Sequence, residues 1–488
     1  MSFRALARGS LLITLANLVP RAGAFLLLPI YTRFLSTADF GIVSLAGSTA
    51  LLLAIAYRLG LDAALLRMHH DLESSDRQTL YTTVVAVSLV CAVTVTVIAA
   101  LVVPAILDPA AAESLTPIVL LALAIGAVNT FQYVPSVWLR ATDQPGRYLL
   151  LALAAFTAVV VITVLLVVVV RLGAAGSLTG QLAGALVMAA AALAVMWRQR
   201  PWRFNPAIAR RALDFGLPLL PHTLAGWLLN VSDRWLLGLL LGLAVADTLA
   251  AIGIYSLGYQ LGYAVGLAAI SFNAAWLPFL YRVGHGPHGR AILRESTTLV
   301  AAGFAALAGV LAIMAPDLID LIAPAEWSAA ADVTAVVAFA SAANAAGLMF
   351  ASGIYLDRAT RVMPLLTLVA AGLNVALNVV LIPRIGIMGA AWSTLVAYGA
   401  LATMTAIAGE RRYPVGIDVV RLAAIASVSV SATLLSRVDA GGDLLPPLVW
   451  HLALAAGAVV LLVLVVRGPL RRLRASLPSA SGSSPALG

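Results

Sequence analysis

Apolar runs long enough to cross a bilayer, separated by short polar breaks, account for most of the chain. A helix rises 1.5 Å per residue, so about 20 apolar residues span the roughly 30 Å hydrocarbon core. On that measure the pattern predicts about fourteen transmembrane helices, near 11–31, 40–58, 80–103, 115–138, 148–170, 174–197, 215–243, 250–280, 292–315, 331–355, 362–382, 386–408, 418–436 and 445–466. The predicted fold class is an all-α polytopic membrane protein. Its expected organisation is two pseudo-symmetric six-helix lobes, residues 1–197 and 213–410, joined by a basic linker at 198–212. Two additional helices occupy 411–467. The tail, 468–488, turns Ser/Pro/Gly/Ala-rich after Arg471, Arg472 and Arg474, a composition expected to stay disordered.

The lobes read as a duplication. Phe40-Gly-Ile-Val-Ser-Leu45 matches Ile252-Gly-Ile-Tyr-Ser-Leu257 at an offset of 212, and Arg171-Leu-Gly-Ala-Ala-Gly176 matches Arg384-Ile-Gly-Ile-Met-Gly389 at 213. A third match lies in the leading helix of each half: Asn17-Leu-Val-Pro-Arg21 and Asn230-Val-Ser-Asp-Arg234, again 213 apart. Six spans is an even number, so both copies insert with the same orientation and their pseudo-twofold axis runs along the membrane normal. Parallel halves of this kind suit alternating access.

The third match is also where polarity interrupts the apolar pattern most sharply. Asn and Arg four residues apart share a helix face. A charge at mid-bilayer costs about 2.5–3.5 kcal/mol on insertion scales, so it turns towards protein or a water-filled cavity. Arg21 and Arg234, at equivalent places, are expected to face one another across a central cavity. Two guanidiniums there repel unless an anion is present, and their planar forks suit phosphate. The competing reading neutralises each arginine within its own lobe or lets one snorkel to an interface. Asp233 is the only acid well inside a span and projects about 100° from Arg234 on a regular helix. It either reaches across to Arg21 as a displaceable lock or forms a permanent pair within the second lobe. Arg58, at the inner end of the second span, either meets an anionic head group or is a plain positive-inside anchor. Asn17, Asn230, Asn129, Gln132 and Asn344 complete the candidate substrate contacts, the last three as hydrogen-bonding partners for sugar hydroxyls. Polar residues on apolar spans, Asn273, Asn374 and Asn378 among them, also serve to join helices.

Composition agrees with the pattern. Of 488 residues 62% are hydrophobic and 10% charged, with a mean hydropathy of +1.01, whereas soluble domains carry about 25% charged residues. The net charge is +9, and all 30 basic residues are arginine. These charges sit in short loops, which argues for positive-inside topology and against nucleic acid as a partner. With the N-terminus in the cytoplasm, the outer loops hold only Arg33, Arg171, Arg384 and Arg437. Setting aside these four and the two buried arginines, the other 24 of the 30 fall on the cytoplasmic side, and the even span count returns the C-terminus there. The first run lacks a small-residue cleavage site and is expected to stay as a span. One cysteine, Cys91, allows no intrachain disulfide. No Walker motif, nucleophile triad or metal-ligand cluster is assembled, so neither cofactor nor metal is expected. His69, His70, His285 and His288 fall between spans and are expected to be solvated. Pro20, Pro29, Pro218 and Pro221 are expected to bend the leading helices.

Several segments resemble a known family. Leu28-Pro-Ile-Tyr-Thr-Arg33 with Asp39-Phe-Gly41, Asp233-Arg234, and Asn374-Val-Ala-Leu-Asn378 running through Ile382-Pro-Arg-Ile-Gly386 to Gly389-Ala-Ala391 are similar to polysaccharide (O-antigen-type) flippases. Those belong to the multidrug/oligosaccharidyl-lipid/polysaccharide exporter superfamily, and the resemblance covers about residues 5–465. It implies a multi-pass protein of the bacterial cytoplasmic membrane that moves undecaprenyl-pyrophosphate-linked oligosaccharide between leaflets. Arg21 and Arg234 would then hold the pyrophosphate, and the polyprenyl tail would lie along a groove beside the last two spans. The implied partners are the lipid-linked oligosaccharide, membrane lipids, a polysaccharide polymerase and glycosyltransferases. The first copy has Pro20-Arg21 where the second has Asp233-Arg234, so any ion coupling through Asp233 differs between lobes. A cation-coupled multidrug exporter of the same superfamily is the alternative; an enzyme acting on lipid-linked sugars would need a carboxylate constellation that the scattered outer acids do not supply.

Overall fold

The computed structural model describes residues 3–106, 109–199, 202–284, 288–438 and 446–476, without side chains at 3–11, 21–22, 74–75, 103–106, 109–118 and 474–476. Thirteen helical segments among the described residues are long and apolar enough to cross a membrane. The remaining expected span, 215–243, is not among them: it is divided at Ser232 into two shorter helices and carries Asp233 and Arg234. Large apolar side chains such as Leu101, Leu150, Leu193 and Leu239 stand exposed around the helices. Over so many helices that outward greasiness fits lipid, since soluble proteins keep exposed apolar patches small.

Packing divides the chain into two compact units, residues 1–256 with 322–327, and residues 257–321 with 328–488. The first contains α1 (Phe3–Phe34), α2 (Thr37–Arg58), α3 (Leu61–Asp71), α4 (Ser74–Ile106), α5 (Pro109–Thr130), α6 (Tyr133–Ala141), α7 (Pro145–Val164), α8 (Gly173–Arg198), α9 (Pro206–Gly216), α10 (Leu220–Val231), α11 (Asp233–Leu240) and most of α12 (Val245–Gly262). A capping box opens α2: the Asp39 amide donates to Ser36 Oγ at 3.1 Å, and the Ser36 amide reaches the Asp39 carboxylate at 3.4 Å. The other oxygen of Asp39 accepts from the Ala174 amide at 3.2 Å, joining the starts of α2 and α8. Leu59 and Gly60 adopt left-handed conformations, φ +49° and +73°, and reverse the chain into α3. There Leu61, Ala64, Leu65 and Met68 pack on Tyr81 of α4, Tyr133 of α6 and Ala212 of α9. The same packing buries His69, which is not solvated as its loop-like position suggests: Tyr81 Oη lies 3.1 Å from its Nδ1. His70 and His288 are exposed as expected, and His285 lies outside the described residues.

The second unit holds α13 (Ala264–Gly284), α14 (Gly289–Ile322), α15 (Ala330–Phe350), α16 (Ser352–Leu356), α17 (Val362–Ile385), α18 (Ile387–Arg412), α19 (Val419–Ser436) and α20 (Pro447–Ser476). The α17–α18 turn repeats the α7–α8 turn. Gly386 and Gly173, 213 residues apart, have φ +61° and +56°. Just after them Gly389 lies against the Leu381 backbone and Gly176 against the Leu166 backbone, close enough that a Cβ would meet main chain at 2.6 and 3.0 Å. The last two helices are tied to the rest of their unit by polar side-chain contacts. Arg472 makes a two-pronged contact with Glu295 at 2.6 and 3.0 Å, Arg437 pairs with Asp332 at 3.0 Å, and His451 Nδ1 lies 2.5 Å from Asp317.

Candidate functional site

The site lies where α10 meets α11. Pro218 and Pro221 lie in the 3-10 turn and first turn that lead into α10, where a missing amide costs no helical hydrogen bond. Ser232, between α10 and α11, keeps right-handed helical angles (φ −63°, ψ −21°) and donates its hydroxyl to the Leu228 carbonyl at 2.5 Å. Asp233 follows as the first residue of α11. Its side chain is 0% exposed and accepts the Tyr255 hydroxyl of α12 at 2.5 Å. Arg234 points differently and is partly exposed: Nη1 donates to the Asn230 carbonyl at 3.3 Å, and Cζ lies 5.8 Å from the centroid of the same Tyr255 ring. Asn230 Nδ2 donates to Gly226 at 2.7 Å. The four-residue spacing read from the sequence thus brings Asn230 and Arg234 into contact, through the main chain of Asn230.

Tyr255, which serves both charged residues, was not among the sequence candidates. The signal was present in the repeat: Tyr255 occupies the place of Val43 in the first copy, and Asp233 that of Pro20. The hydrogen-bonded pair therefore belongs to the second copy alone.

The other candidates fall as follows. Asn17, on α1, accepts the Tyr148 hydroxyl at 2.8 Å. The side chain of Arg21 lies outside the described residues. Arg58 Nη2 donates to the Asn129 carbonyl at 2.8 Å, capping the end of α5, and its guanidinium lies 6.0 Å from the Tyr133 ring centroid. Arg58 and Asn129 are thus brought together, with Gln132 adjoining in the α5–α6 turn through its amide to the Asn129 carbonyl at 3.2 Å. Asn344 is half-buried on α15 of the second unit. Asn374 and Asn378 are fully buried and bond to one another within α17 at 3.1 Å. Among the described residues no group of three or more His, Cys, Asp or Glu is placed to hold a metal.

The second unit contains an apolar groove of about 630 Å³ between α14, α15, α18 and α19. Ala301, Ala342, Ala346, Trp392 and Ile425 are among its walls, and the Asp332–Arg437 pair lies along it.

Residues 6–283, more than half of the chain, match the family model described as "Polysaccharide biosynthesis protein". The chain belongs to that family. No curated protein matches. Among solved structures, this polysaccharide biosynthesis family member resembles the lipid II flippase MurJ in an inward closed conformation (TM-score 0.70, 11% identity, 95% of this chain and 99% of that one). It also resembles an inward-facing multidrug resistance MATE family transporter of the MOP superfamily (0.59, 15%, 85% and 95%) and a MOP superfamily transporter from Pyrococcus furiosus described as having a binding pocket of reverse polarity (0.52, 15%, 86% and 96%). At these identities the likeness establishes a shared fold, that of multi-pass membrane transporters and flippases.

Proposed function

We propose that this family member is a flippase that carries undecaprenyl-pyrophosphate-linked oligosaccharide across the bacterial cytoplasmic membrane by alternating access, for assembly of cell-surface polysaccharide. What carries the reading is the opposite fate of two neighbouring charges. The Asp233 carboxylate is buried and accepts the Tyr255 hydroxyl, while Arg234 beside it is only partly buried, which favours a positively charged contact for a ligand here. A pyrophosphate suits that offer and a drug cation does not. Arg21, on the equivalent helix of the first copy, is assigned the second contact. Asn17, Asn230, Asn129, Gln132 and Asn344 are assigned to the sugars, and Arg58 to an incoming head group. The α14–α15–α18–α19 groove, apolar and beside a late span, is assigned to the polyprenyl tail. Glycosyltransferases would supply the substrate and a polymerase consume it, with both termini of the flippase in the cytoplasm.

The test is translocation of a lipid-linked oligosaccharide in vesicles carrying Arg21→Ala, Arg234→Ala or both. Charge-assisted hydrogen bonds are worth about 1.5–3 kcal/mol, so each single variant should lose roughly ten-fold or more. Unchanged transport by a correctly inserted double variant would refute the assignment. The cation-coupled exporter is favoured by the MATE-like fold and predicts the opposite: efflux of drug cations that is lost on Asp233→Asn. Exchanging the charges of Arg21 and Asp233 tests whether the two pair, since a paired set should regain transport that either single change loses.

A further inference from the structure

A second cavity lies away from this site. It has a volume of about 270 Å³ and is formed in the first unit by α6, α7 and α8. Leu139, Leu151, Ala191 and Val195 give it apolar walls, and Arg147 and Arg198 also line it. Arg147 stands in the first turn of α7 and Arg198 ends α8, so both guanidiniums belong to one membrane face, the one that the arginine distribution assigns to the cytoplasm. Arg198 is stacked on Trp138 at 5.6 Å, and Arg147 donates to the Gln144 side chain at 2.5 Å. Both are exposed, and neither has a carboxylate within 4 Å among the described residues. Elsewhere on that face arginines do find acids, as Arg67 does with Asp71 and Arg472 with Glu295. Trp197 and Trp202 stand exposed next to the cavity's end of α8, and Trp202 is held there by its bond to the Met196 carbonyl at 3.0 Å. Exposed tryptophans of this kind mark the head-group level of a bilayer.

We propose that this cavity is a binding site for an anionic phospholipid, its phosphate held by Arg147 and Arg198 and the start of one acyl chain lying on Leu139, Leu151 and Val195. Two cations on an apolar slot match a ligand that is anionic at one end and greasy at the other, and basic pockets between transmembrane helices are a recurrent form of lipid site. The volume falls below the roughly 300–1,000 Å³ of pockets that enclose whole drug-sized ligands, so the slot takes a head group and part of a chain while the rest stays in the bilayer. The site is separate from the Arg234 region and does not depend on what the protein transports.

Native mass spectrometry of the detergent-purified full-length protein tests this, with dioleoyl phosphatidylglycerol, dioleoyl phosphatidylcholine, glycerol 3-phosphate and undecaprenyl phosphate as probes. Two surface arginines favour an anionic lipid by on the order of thirty-fold in occupancy. Phosphatidylglycerol should be retained over phosphatidylcholine by that factor, and Arg147→Gln/Arg198→Gln should abolish the preference. Arg210→Gln/Arg211→Gln, which removes the same charge from α9, should leave it intact. Leu151→Trp, which fills the slot and keeps both arginines, should also abolish it and covers the case in which the double variant fails to fold. Equal loss in the α9 variant, retention in the Leu151 variant, competition by glycerol 3-phosphate, or displacement by equimolar undecaprenyl phosphate would each overturn the assignment.

Discussion

At the scale of single residues, Tyr255 touches both Asp233 and Arg234. A buried carboxylate that loses a hydrogen-bond donor costs about 1.5–3 kcal/mol, so Tyr255→Phe should lower thermal stability and transport together. In an Asp233→Asn background the same change should cost much less, because the charge that needed the phenol is gone; equal losses in both backgrounds would show that the bond is not the cause. His69 gives a second expectation, one of pH. Burial, then the neighbouring His70 and Arg77, hold its pKa below the usual 6.5. As pH falls through the ordinary histidine range the unfolded chain takes up a proton that the folded chain refuses, so stability is complete above about 6.5 and declines below it. Melting temperature should therefore fall between pH 7.5 and 5.5 by less in His69→Gln than in the unaltered protein. The charged residues were legible in the sequence because an Asp-Arg pair inside an apolar run has no cheap explanation. Tyr255 and His69 were not: an aromatic in an apolar motif looks like core, and a histidine between spans looks solvated, until the fold places Asp233 against one and Tyr81 against the other.

Between elements, the duplicated motif has a contact of its own. In the first unit α2 and α12 cross backbone to backbone at Gly41 and Gly253. A Cβ on Gly41 would overlap the Leu249 carbonyl and stand 3.2 Å from the Gly253 nitrogen; one on Gly253 would overlap the Thr37 carbonyl and stand 3.1 Å from the Gly41 nitrogen. Thr37 and Leu249 are separated by 212 residues, as Gly41 and Gly253 are, so the two copies meet about a local twofold. Hydropathy showed that both glycines recur but is blind to which helices touch. It was blind too to the local irregularity at Ser232, between α10 and α11. Backbone offers no rotamer to yield, so Gly41→Val and Gly253→Val should each destabilise by about 1–3 kcal/mol or more, as overpacking does. Gly47→Val, on the same helix with open space before it, is the control and should change stability little. Similar melting shifts at Gly41 and Gly47 would mean that close approach is not why the motif has glycine.

For the molecule as a whole the arginine distribution makes the strongest claim, because a few outer-loop arginines stand against it. Arg437 is one of them, and in the folded chain it pairs with Asp332 at 3.0 Å, so the charge it adds to that face is neutralised locally. Arg384 turns back to the Val380 carbonyl at 2.9 Å at the end of its own helix, where a cation offsets the dipole. Such exceptions leave the bias intact, since orientation follows the excess of arginine in short loops and is little affected by acids. Cys91 is the one cysteine, so Cys91→Ala provides a background for labelling. Single cysteines at Trp202, between α8 and α9, and at His288, before α14, should react with a membrane-impermeant maleimide only after cells are permeabilised. Cysteines at Gly242, between α11 and α12, and at Glu326, between α14 and α15, should react in intact cells. The Gly242 result also checks how 215–243 crosses. Ser232 keeps helical angles (φ −63°, ψ −21°) and accepts the Leu236 amide at 2.9 Å, so α10 and α11 run on as one crossing and positions 202 and 242 should label on opposite sides. Labelling on the same side would make the span count odd, and the inference that both halves insert alike would fail with it.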